Sequence, residues 1–384
     1  MITSGINFKN FKIKKNPYKI ENNLKSLFIE KNQIINSLKK GYPNSFTSKL
    51  IKKYNKYSEI RLIGIGGSSL GFKSIYNFLS HKINKKVTFI DNLVEKKENT
   101  KSKKKLNLII SKSGETIETI VNSNISIKKN DKNIFLTENK SNYLNLLAKK
   151  LKADVVSHNN YIGGRFSVLS EVGMLPSELL GFKSKNFRKF DELVKNKKFL
   201  NALVNNVAST LFHIKNKKFN SVIINYDEKS ESLFLWYQQL IAESLGKKNK
   251  GILPVLSNMP KDNHSVMQLY LDGKKNNFYT FFYVNEKGSK NVINSKILNS
   301  KFYLKNKNLN QILYAQKMAT ENVFKKKNIP FRSFEIFKRD ERTLGELFTF
   351  FILETILLGK ALKINPYNQP AVELIKNETK RILI

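Results

Sequence analysis

The sequence predicts an α/β protein built on two doubly wound parallel sheets, with an N-terminal arm and C-terminal helices. Short apolar segments alternate with segments of helical spacing in two separate passages of the 384-residue chain. That alternation is typical of parallel sheets whose strands are connected by helices. Turns rich in Gly and Ser also follow two strands of the first passage, where a parallel sheet can bind an anion.

The first passage begins with a buried strand at Ile60–Ile65, followed by a Gly/Ser turn and a helix through Leu79. The next strands are predicted at Val87–Ile90, Leu106–Ile110, Asn133–Leu136 and Ala153–Val156. These short apolar runs fit strands that are buried on both faces of a sheet. We assign residues 46–188 to this first domain and residues 1–45 to an arm packed on the outside.

A helical stretch, Phe190–Lys215, leads to the second passage. Strands are predicted at Ser221–Asn225, Ile252–Leu256, Phe278–Val284 and Phe331–Phe337. Helices are predicted at Ser232–Leu245, Leu309–Lys326, Thr343–Lys360 and from Pro370 onward. Residues 189–384 therefore form the second domain together with a C-terminal helical segment.

Composition excludes several classes of protein. The chain has no Cys, which rules out disulfides, thiolate nucleophiles and Cys-based metal sites. Residues 1–20 contain scattered Lys and lack the apolar core of a signal peptide, so we expect a cytoplasmic protein. The most apolar stretch, Leu344–Leu358, is too short to span a bilayer and contains Glu346 and Glu354. It is interpreted as a buried helix, and no membrane association is expected.

The net charge of +39 raises the question of nucleic-acid binding. The Lys residues are spread over the whole chain and occur together with Asn, as in segments 52–56 and 305–308. Nucleic-acid grooves favour Arg forks and interleaved aromatic side chains instead. We interpret the charge as solvated surface, which would still attract an anionic substrate, and do not expect a nucleic-acid partner.

Two Gly/Ser-rich turns are candidates for an anion site. Segment 63–71, IGIGGSSLG, follows the first strand and opens a helix, and segment 111–116, SKSGET, follows another. Free N–H groups at a helix start and nearby hydroxyls suit a phosphate monoester. The alternatives are a tight structural turn for the first segment and helix capping by Ser or Thr for the second. Because both turns can converge at the carboxyl edge of one sheet, a shared phosphate site is favoured.

Candidate catalytic side chains lie farther along the chain. Arg165 follows Gly163 and Gly164, so its guanidinium can contact an anion, although an ordinary surface Arg is the alternative. Gln239 and Glu243 are four residues apart and lie on one face of a mostly apolar helix. Glu243 is a candidate base if that face points into a cleft, and a solvated surface residue otherwise.

Two further groups have the residue types that acid–base chemistry needs. His264 is expected in the first turn of a helix that reaches Tyr270, where it is either an acid–base group or a cap. The chain has 4 His, without metal-ligand spacing, so no metal site is expected. Gln369 and Lys376 are seven apart and can face one site across nearly two helical turns, but Lys376 can also pair with Glu373.

Together these segments resemble the phosphoglucose isomerase family. The matching stretches are IGIGGSSLG from Ile63, SKSGETIET from Ser111, GGRFSVLSEVGMLP from Gly163, the pair Gln239 and Glu243, DNHSVMQLYLDG from Asp262 and LKINPYNQPAVELIK from Leu362. They occur in the family's order. The resemblance implies two sugar-isomerase (SIS) domains in a homodimer that needs no cofactor. It also implies interconversion of glucose 6-phosphate and fructose 6-phosphate through an enediolate, in glycolysis and gluconeogenesis.

The resemblance also implies a role for each matching residue. Glu243 corresponds to the base that moves the proton between C2 and C1, and Arg165 lies beside the developing enediolate. His264 and Lys376 match the pair that opens the ring, with His264 donated by the neighbouring subunit. The implied substrate and phosphate ligands are Gly67, Ser68, Ser111, Lys112, Ser113, Thr116, Gln239 and Gln369.

Other functions remain open at this stage. One is a SIS isomerase that acts on another sugar phosphate, such as mannose 6-phosphate. A second is a non-catalytic sugar-phosphate sensor, which would not need Glu243, His264 and Lys376 together. One departure from the family is Ala371, which stands where the motif usually has Gly and which would be strained if that position required a positive φ.

Overall fold

The computed structural model describes residues 1–13, 17–93, 105–128, 131–286, 302–304 and 306–384. Ten strands lie in these ranges: β1 Ile6–Lys9, β2 Glu59–Ile63, β3 Lys86–Ile90, β4 Leu106–Ile110, β5 Lys132–Thr137, β6 Asp154–Ser157, β7 Asn220–Asn225, β8 Leu253–Asn258, β9 Asn277–Val284 and β10 Phe331–Ile336. They form two five-stranded sheets. This arrangement confirms the α/β class and the two parallel sheets predicted from the sequence.

The helices connect the strands and cover the sheets. They are α1 Glu21–Ile29, α2 Gln33–Ser37, α3 Ser48–Tyr54, α4 Leu70–Phe78, α5 Ile117–Ser126, α6 Tyr143–Lys150, α7 Glu171–Leu179, α8 Ser184–Phe187, α9 Phe190–Leu193, α10 Lys197–Lys215, α11 Glu231–Leu245, α12 Met267–Asp272, α13 Leu309–Lys326, α14 Glu341–Ala361 and α15 Pro370–Leu383. The stretch predicted as one helix from Phe190 is divided into α9 and α10. The Asn196 side chain accepts a hydrogen bond from Phe199 N at 3.2 Å, so α10 has its own N-cap.

The first sheet has the strand order β3-β2-β4-β5-β6, and all its pairs are parallel. The chain leaves β2 toward β3 on one side and returns to β4 on the other side of β2. The connections after β2 and β4 therefore diverge and leave a crevice at the carboxyl ends of these two strands. Such a topological switch point is where open α/β sheets bind ligands.

The second sheet has the order β1-β10-β9-β7-β8. Its pairs are parallel except for β1, which runs antiparallel to β10 with Ile6 opposite Ile336. The sequence reading did not identify β1, because four residues are too few for a clear alternation. The strand is anchored by the fully buried Ile6 and by Phe8, whose ring lies 4.6 Å from that of Phe334.

Helix α11 joins the two halves of the molecule. Ser232 near its start accepts a hydrogen bond from Ser74 Oγ to its carbonyl at 2.8 Å and one from Asn77 Nδ2 to its hydroxyl at 2.7 Å, both from α4. On its other side α11 packs on α14, whose residues 343–359 are all buried. The predicted buried helix is thus confirmed. No helix of the described residues is long and apolar enough to cross a membrane.

Candidate active site

The two Gly/Ser turns converge at the switch point, as the sequence predicts. The turn after β2 forms a single 3₁₀ turn, Gly66–Ser68, and the turn after β4 begins at Ser111. A Cβ on Gly64 would lie 2.8 Å from Ile110 O, so the two turns approach each other backbone to backbone. Ser68, in the first turn, is half-buried, and Ser111, at the start of the second, is buried.

The turn after β4 is more than a helix cap. Thr116 is the N-cap residue of α5 but makes no side-chain capping hydrogen bond. Its hydroxyl lies 2.8 Å from Ser111 Oγ instead, and Ser111 Oγ accepts from Gly114 N at 3.2 Å. Ser113 Oγ accepts from Glu115 N at 3.2 Å, while the Lys112 ammonium donates to Asn160 O at 2.7 Å. The hydroxyls of Ser111 and Thr116 are therefore preorganised side by side, as a phosphate oxygen requires.

Gly67 allows the Arg165 loop to reach the first turn. A Cβ on Gly67 would lie 2.2 Å from the carbonyl carbon of Gly164 and 2.5 Å from Arg165 N, so only Gly fits. On the other side, Gly66 has a φ of +58°, and a Cβ there would lie 2.9 Å from Gln239 Nε2. This turn thus contacts both the Arg165 loop and the helix that carries Glu243.

Arg165 is buried and fully bonded. Its side chain is 0% exposed, and each of its five N–H groups has an acceptor. The acceptors are Ser244 Oγ at 2.7 Å, Glu243 Oε2 at 3.1 Å, Gln369 Oε1 at 2.7 Å, Pro366 O at 2.7 Å and Asn368 O at 3.2 Å. The backbone carbonyl of Arg165 is also held, by Trp236 Nε1 at 3.0 Å. The alternative of an ordinary surface Arg does not apply.

The Glu243 carboxylate is oriented on both sides and still open to solvent. Gln239 Nε2 donates to Oε1 at 2.8 Å, and Arg165 holds Oε2. The side chain is 28% exposed, whereas its neighbour Ser244 is fully buried. A carboxylate that is fixed but accessible has the geometry of a general base, since it can approach a substrate proton without first being freed from a packed core.

Lys247 is a neighbour of this cluster that was not among the candidates from the sequence. It follows α11, and its ammonium donates to Asn365 O at 2.6 Å and to Asn368 O at 2.5 Å. Burial, together with the nearby Arg165 guanidinium, lowers the pKa of Lys247 to about 8, while the Glu243 carboxylate acts in the opposite direction. The signal in the sequence was its position four residues after Glu243, but a single Lys is inconspicuous in a chain that is so rich in Lys.

Hydrogen bonds among the described residues do not join His264 or Lys376 to this cluster. His264 ends a short 3₁₀ segment, Lys261–His264, and precedes α12, so its predicted place within the helix that contains Tyr270 is wrong. Its side chain is exposed. Within the described ranges, no hydrogen bond joins His264 or Lys376 to Glu243. Lys376 pairs with Glu373 at 2.7 Å on the surface of α15, which is the ion-pair alternative considered above.

Ala371 is accommodated without strain. It is the second residue of α15 and is not among the described residues with a positive φ. The penalty considered for a residue with a Cβ at this position therefore does not arise, and Gln369 immediately before the helix keeps its contact with Arg165.

A separate cavity of about 710 Å³ lies between the N-terminal segment and the end of β6, lined among others by Tyr42, His158 and Glu171. His158 Nδ1 is 2.6 Å from Glu171 Oε1, and Tyr42 donates to Oε2 at 3.2 Å. We do not assign the reaction to this cavity, because neither the Gly/Ser turns nor Glu243 is among the residues that line it. Among the described residues, no group of three or more His, Asp or Glu could hold a metal ion.

Solved structures support the fold. A hypothetical protein from Thermus thermophilus aligns with a TM-score of 0.83 at 22% identity, over 95% of this chain and 94% of that one. A glucose-6-phosphate isomerase from Chlamydia trachomatis gives a TM-score of 0.69 at 18% identity, over 88% of this chain and 72% of that one. At such identities the likeness concerns the fold alone, which is that of SIS-type phosphosugar isomerases.

Sequence comparison identifies the family. The glucose-6-phosphate isomerase of Methanocaldococcus jannaschii is 34% identical over 345 residues, which cover 84% of this chain and 83% of that protein. The glucose-6-phosphate isomerase of Campylobacter jejuni is 33% identical over 363 residues, or 86% of each chain. A sequence profile described as phosphoglucose isomerase matches residues 23–384. The chain that holds Glu243 between Arg165 and Gln239 therefore belongs to the phosphoglucose isomerase family.

Proposed function

We propose that this protein interconverts glucose 6-phosphate and fructose 6-phosphate, with Glu243 as the base. The observation that carries the proposal is the Glu243 carboxylate, which Arg165 and Gln239 orient beside the two hydroxyl-rich turns while it remains partly exposed. Family membership and the names of the relatives support the same reaction. In this role the enzyme would act in glycolysis and gluconeogenesis, and the absence of Cys suits a cytoplasmic enzyme.

The phosphate group would bind between the two turns. Ser111 and Thr116 present neighbouring hydroxyls, Ser68 lies in the opposite turn, and the start of α5 contributes N–H groups with positive partial charge. Ser113 and the backbone of Lys112 complete the ligands. A phosphate fixed at one end of an open-chain sugar places C1 and C2 at a set distance from the anchor, so the reacting carbons can be held against Glu243.

Proton transfer would shift negative charge from protein to substrate. Glu243 takes the C2 proton of the open-chain aldose, and the electrons of that C–H bond form the enediolate with charge on the substrate oxygen. After a proton has passed from O2 to O1 of the enediolate, the protonated carboxyl returns its proton to C1 and the charge on O2 closes the C2 carbonyl. Because Arg165 loses a charged partner as Glu243 is protonated, its guanidinium can compensate the oxyanion instead. Gln369, held by Arg165, is placed to contact the sugar hydroxyls.

Ring opening would need residues from two subunits of a homodimer. His264 and Lys376 are exposed and make no hydrogen bond to Glu243 within the described residues, so the contacts of one chain do not join all the proposed catalytic groups. None of the described residues of helix α15 is buried. The exposed side chains of Val372, Ile375 and Ile382 form an apolar face of this helix. A two-fold partner could cover such a face and would complete two equivalent sites.

The test is an assay of purified protein with fructose 6-phosphate, coupled to oxidation of the glucose 6-phosphate formed. Sharing is tested separately, by unfolding and refolding together the variants Glu243→Gln and His264→Ala, each of which alone has reduced turnover of cyclic substrate. Random pairing should restore about a quarter of the sites, because one site of each mixed dimer receives both intact residues. No turnover by the wild type would refute the function. No recovery in proven mixed dimers would refute sharing alone.

A further inference from the structure

A short turn after α11 connects the Glu243 helix to the segment that carries Gln369. The helix ends at Leu245, and residues 247–250 then form a turn in which Lys248 and Asn249 have φ values of 52° and 54°. Lys247 and Lys250 face each other across a β-bridge at the two ends of this turn. Both side chains reach carbonyl oxygens of residues 362–368, the connection between α14 and α15.

The two Lys residues have different targets. Lys250 Nζ donates to Leu362 O at 2.8 Å, where α14 ends. Lys247 Nζ donates to the carbonyls of Asn365 and Asn368, and the second of these also accepts from Arg165 Nη2 at 3.2 Å. Lys247 and Arg165 thus converge on the carbonyl that immediately precedes Gln369.

We propose that Lys247 is a positioning residue for the isomerisation: its ammonium fixes segment 365–368 so that Gln369 and the Arg165 guanidinium keep their places against Glu243. The inference rests on the proposed function. Arg165 makes three of its five hydrogen bonds to residues 366–369, so movement of this segment would displace the guanidinium as well as Gln369. Hydrogen bonds from an ammonium are stronger than neutral ones, which suits a clamp on a segment whose residues Asn365 and Asn368 are exposed.

The charges around Lys247 give the clamp a pH dependence. Burial and the Arg165 guanidinium lower the pKa of Lys247 to about 8, against the opposing effect of the Glu243 carboxylate. Loss of a proton above that pH removes the charge-assisted donation to the two carbonyls. The clamp is therefore complete at neutral pH and weakens on the alkaline side, independently of the phosphate turns.

The experiment compares Lys247→Met with Lys250→Met, which removes an equivalent cation from the same turn without touching Asn368. Lys247→Met should lower kcat for fructose 6-phosphate at least about 10-fold, because small displacements of catalytic groups are costly. Its inhibition by inorganic phosphate should change less than about twofold, since the phosphate turns are untouched. Lys250→Met should keep kcat within about twofold of the wild type.

An unchanged kcat in Lys247→Met, or an equal loss in Lys250→Met, overturns the inference. If Lys247→Met does not fold, Lys247→Arg decides: a cation that stays charged should shift the alkaline loss of kcat to higher pH, and an unshifted profile overturns the inference. Each result is read against wild-type turnover of fructose 6-phosphate. Without wild-type turnover it is the proposed function that fails. An active wild type whose kcat does not depend on Lys247 refutes the clamp alone.

Discussion

Two regions that the family resemblance assigns to one reaction differ in how they are packed. The base corner, which we define as Arg165, Gln239, Glu243 and Gln369, is joined by hydrogen bonds of 2.7–3.1 Å around a fully buried guanidinium. The outer pair, His264 and Lys376, is exposed, and the Lys376 side chain is 58% accessible. Proton transfer would depend on the first region and ring opening on the second.

This difference indicates which part of the site a single chain can preorganise. The base corner is assembled from three stretches of one chain, so its geometry is fixed by folding itself and by the α4–α11 and α11–α14 contacts. The outer pair has no comparable support within the described residues. In the proposed homodimer, its geometry would be set by association with the second subunit.

The largest effect is expected in the base corner. Glu243→Gln keeps the shape of the side chain but removes the base, so kcat should fall at least roughly 10²-fold, or about 3 kcal/mol. Binding of inorganic phosphate should be retained. Glu231→Gln, the same change at the first residue of the same helix, is the control and should keep its activity. Full exchange of the C2 proton with solvent in Glu243→Gln would contradict the assignment.

A smaller effect is expected in the outer pair. His264→Ala should lower turnover of cyclic substrate roughly 10-fold and leave open-chain substrate nearly unaffected, because ring opening also proceeds in solution. Presteady-state measurements on a substrate analogue that cannot cyclise would separate the ring-opening step from proton transfer. Equal losses on both substrates would mean that His264 takes part in proton transfer or supports the fold, and the contrast between the regions would then be lost.

The phosphate turns should give the third effect. Ser111→Ala or Thr116→Val removes one of two hydroxyls that lie 2.8 Å apart. Competitive inhibition by sugar-acid phosphates should weaken about fivefold, corresponding to about 1 kcal/mol for one hydrogen bond. Inhibition by the unphosphorylated sugar acids should change much less. Equal weakening of both inhibitor classes would show that these hydroxyls do not contact phosphate.

The sequence predicted the parts of this molecule that depend on strand order and periodicity. Two turns that follow adjacent parallel strands must meet, so the convergence of Ser68 and Ser111 could be foreseen. The buried helix α14 followed from its apolar run. Hydrogen bonds between distant segments could not be foreseen, because neither spacing nor composition reports that Arg165 is saturated or that Lys247 binds carbonyls of residues 365 and 368.

Two further features escaped prediction because local sequence preference did not decide them. Strand β1 forms because β10 offers an edge and Ile6 can be fully buried there, which is a tertiary effect. His264 lies in a 3₁₀ turn that precedes α12, because helix boundaries depend on which residue supplies the cap and on the packing of Met267 and Tyr270.

The buried histidine His213 extends the contrast with the exposed His264 to stability. The His213 ring stacks on Phe278 at 5.7 Å and meets the edge of Phe11 at 4.8 Å, and neither ring nitrogen has a hydrogen-bond partner among the described residues. Burial, with a smaller repulsion from Lys218, lowers the pKa of His213 to about 4. The unfolded chain binds this proton near its ordinary pKa of about 6.5, so the folded state is favoured above that pH.

Stability should therefore fall as the pH drops below about 6.5, and His213 alone should account for a loss of about 1 kcal/mol between pH 7 and pH 5.5. Urea denaturation of wild type and His213→Phe at the two pH values would measure it, because Phe retains an aromatic ring between Phe11 and Phe278 and cannot titrate. Between the two pH values, the stability that His213→Phe loses should be smaller than the stability that the wild type loses, and the difference should equal the contribution of His213. His264→Ala is the control: its exposed ring loses little hydration on folding, so this variant should follow the wild type. If His213→Phe lost as much as the wild type, a proton would be accepted at His213 in the folded chain, and the ring could not be as isolated from water as its packing indicates.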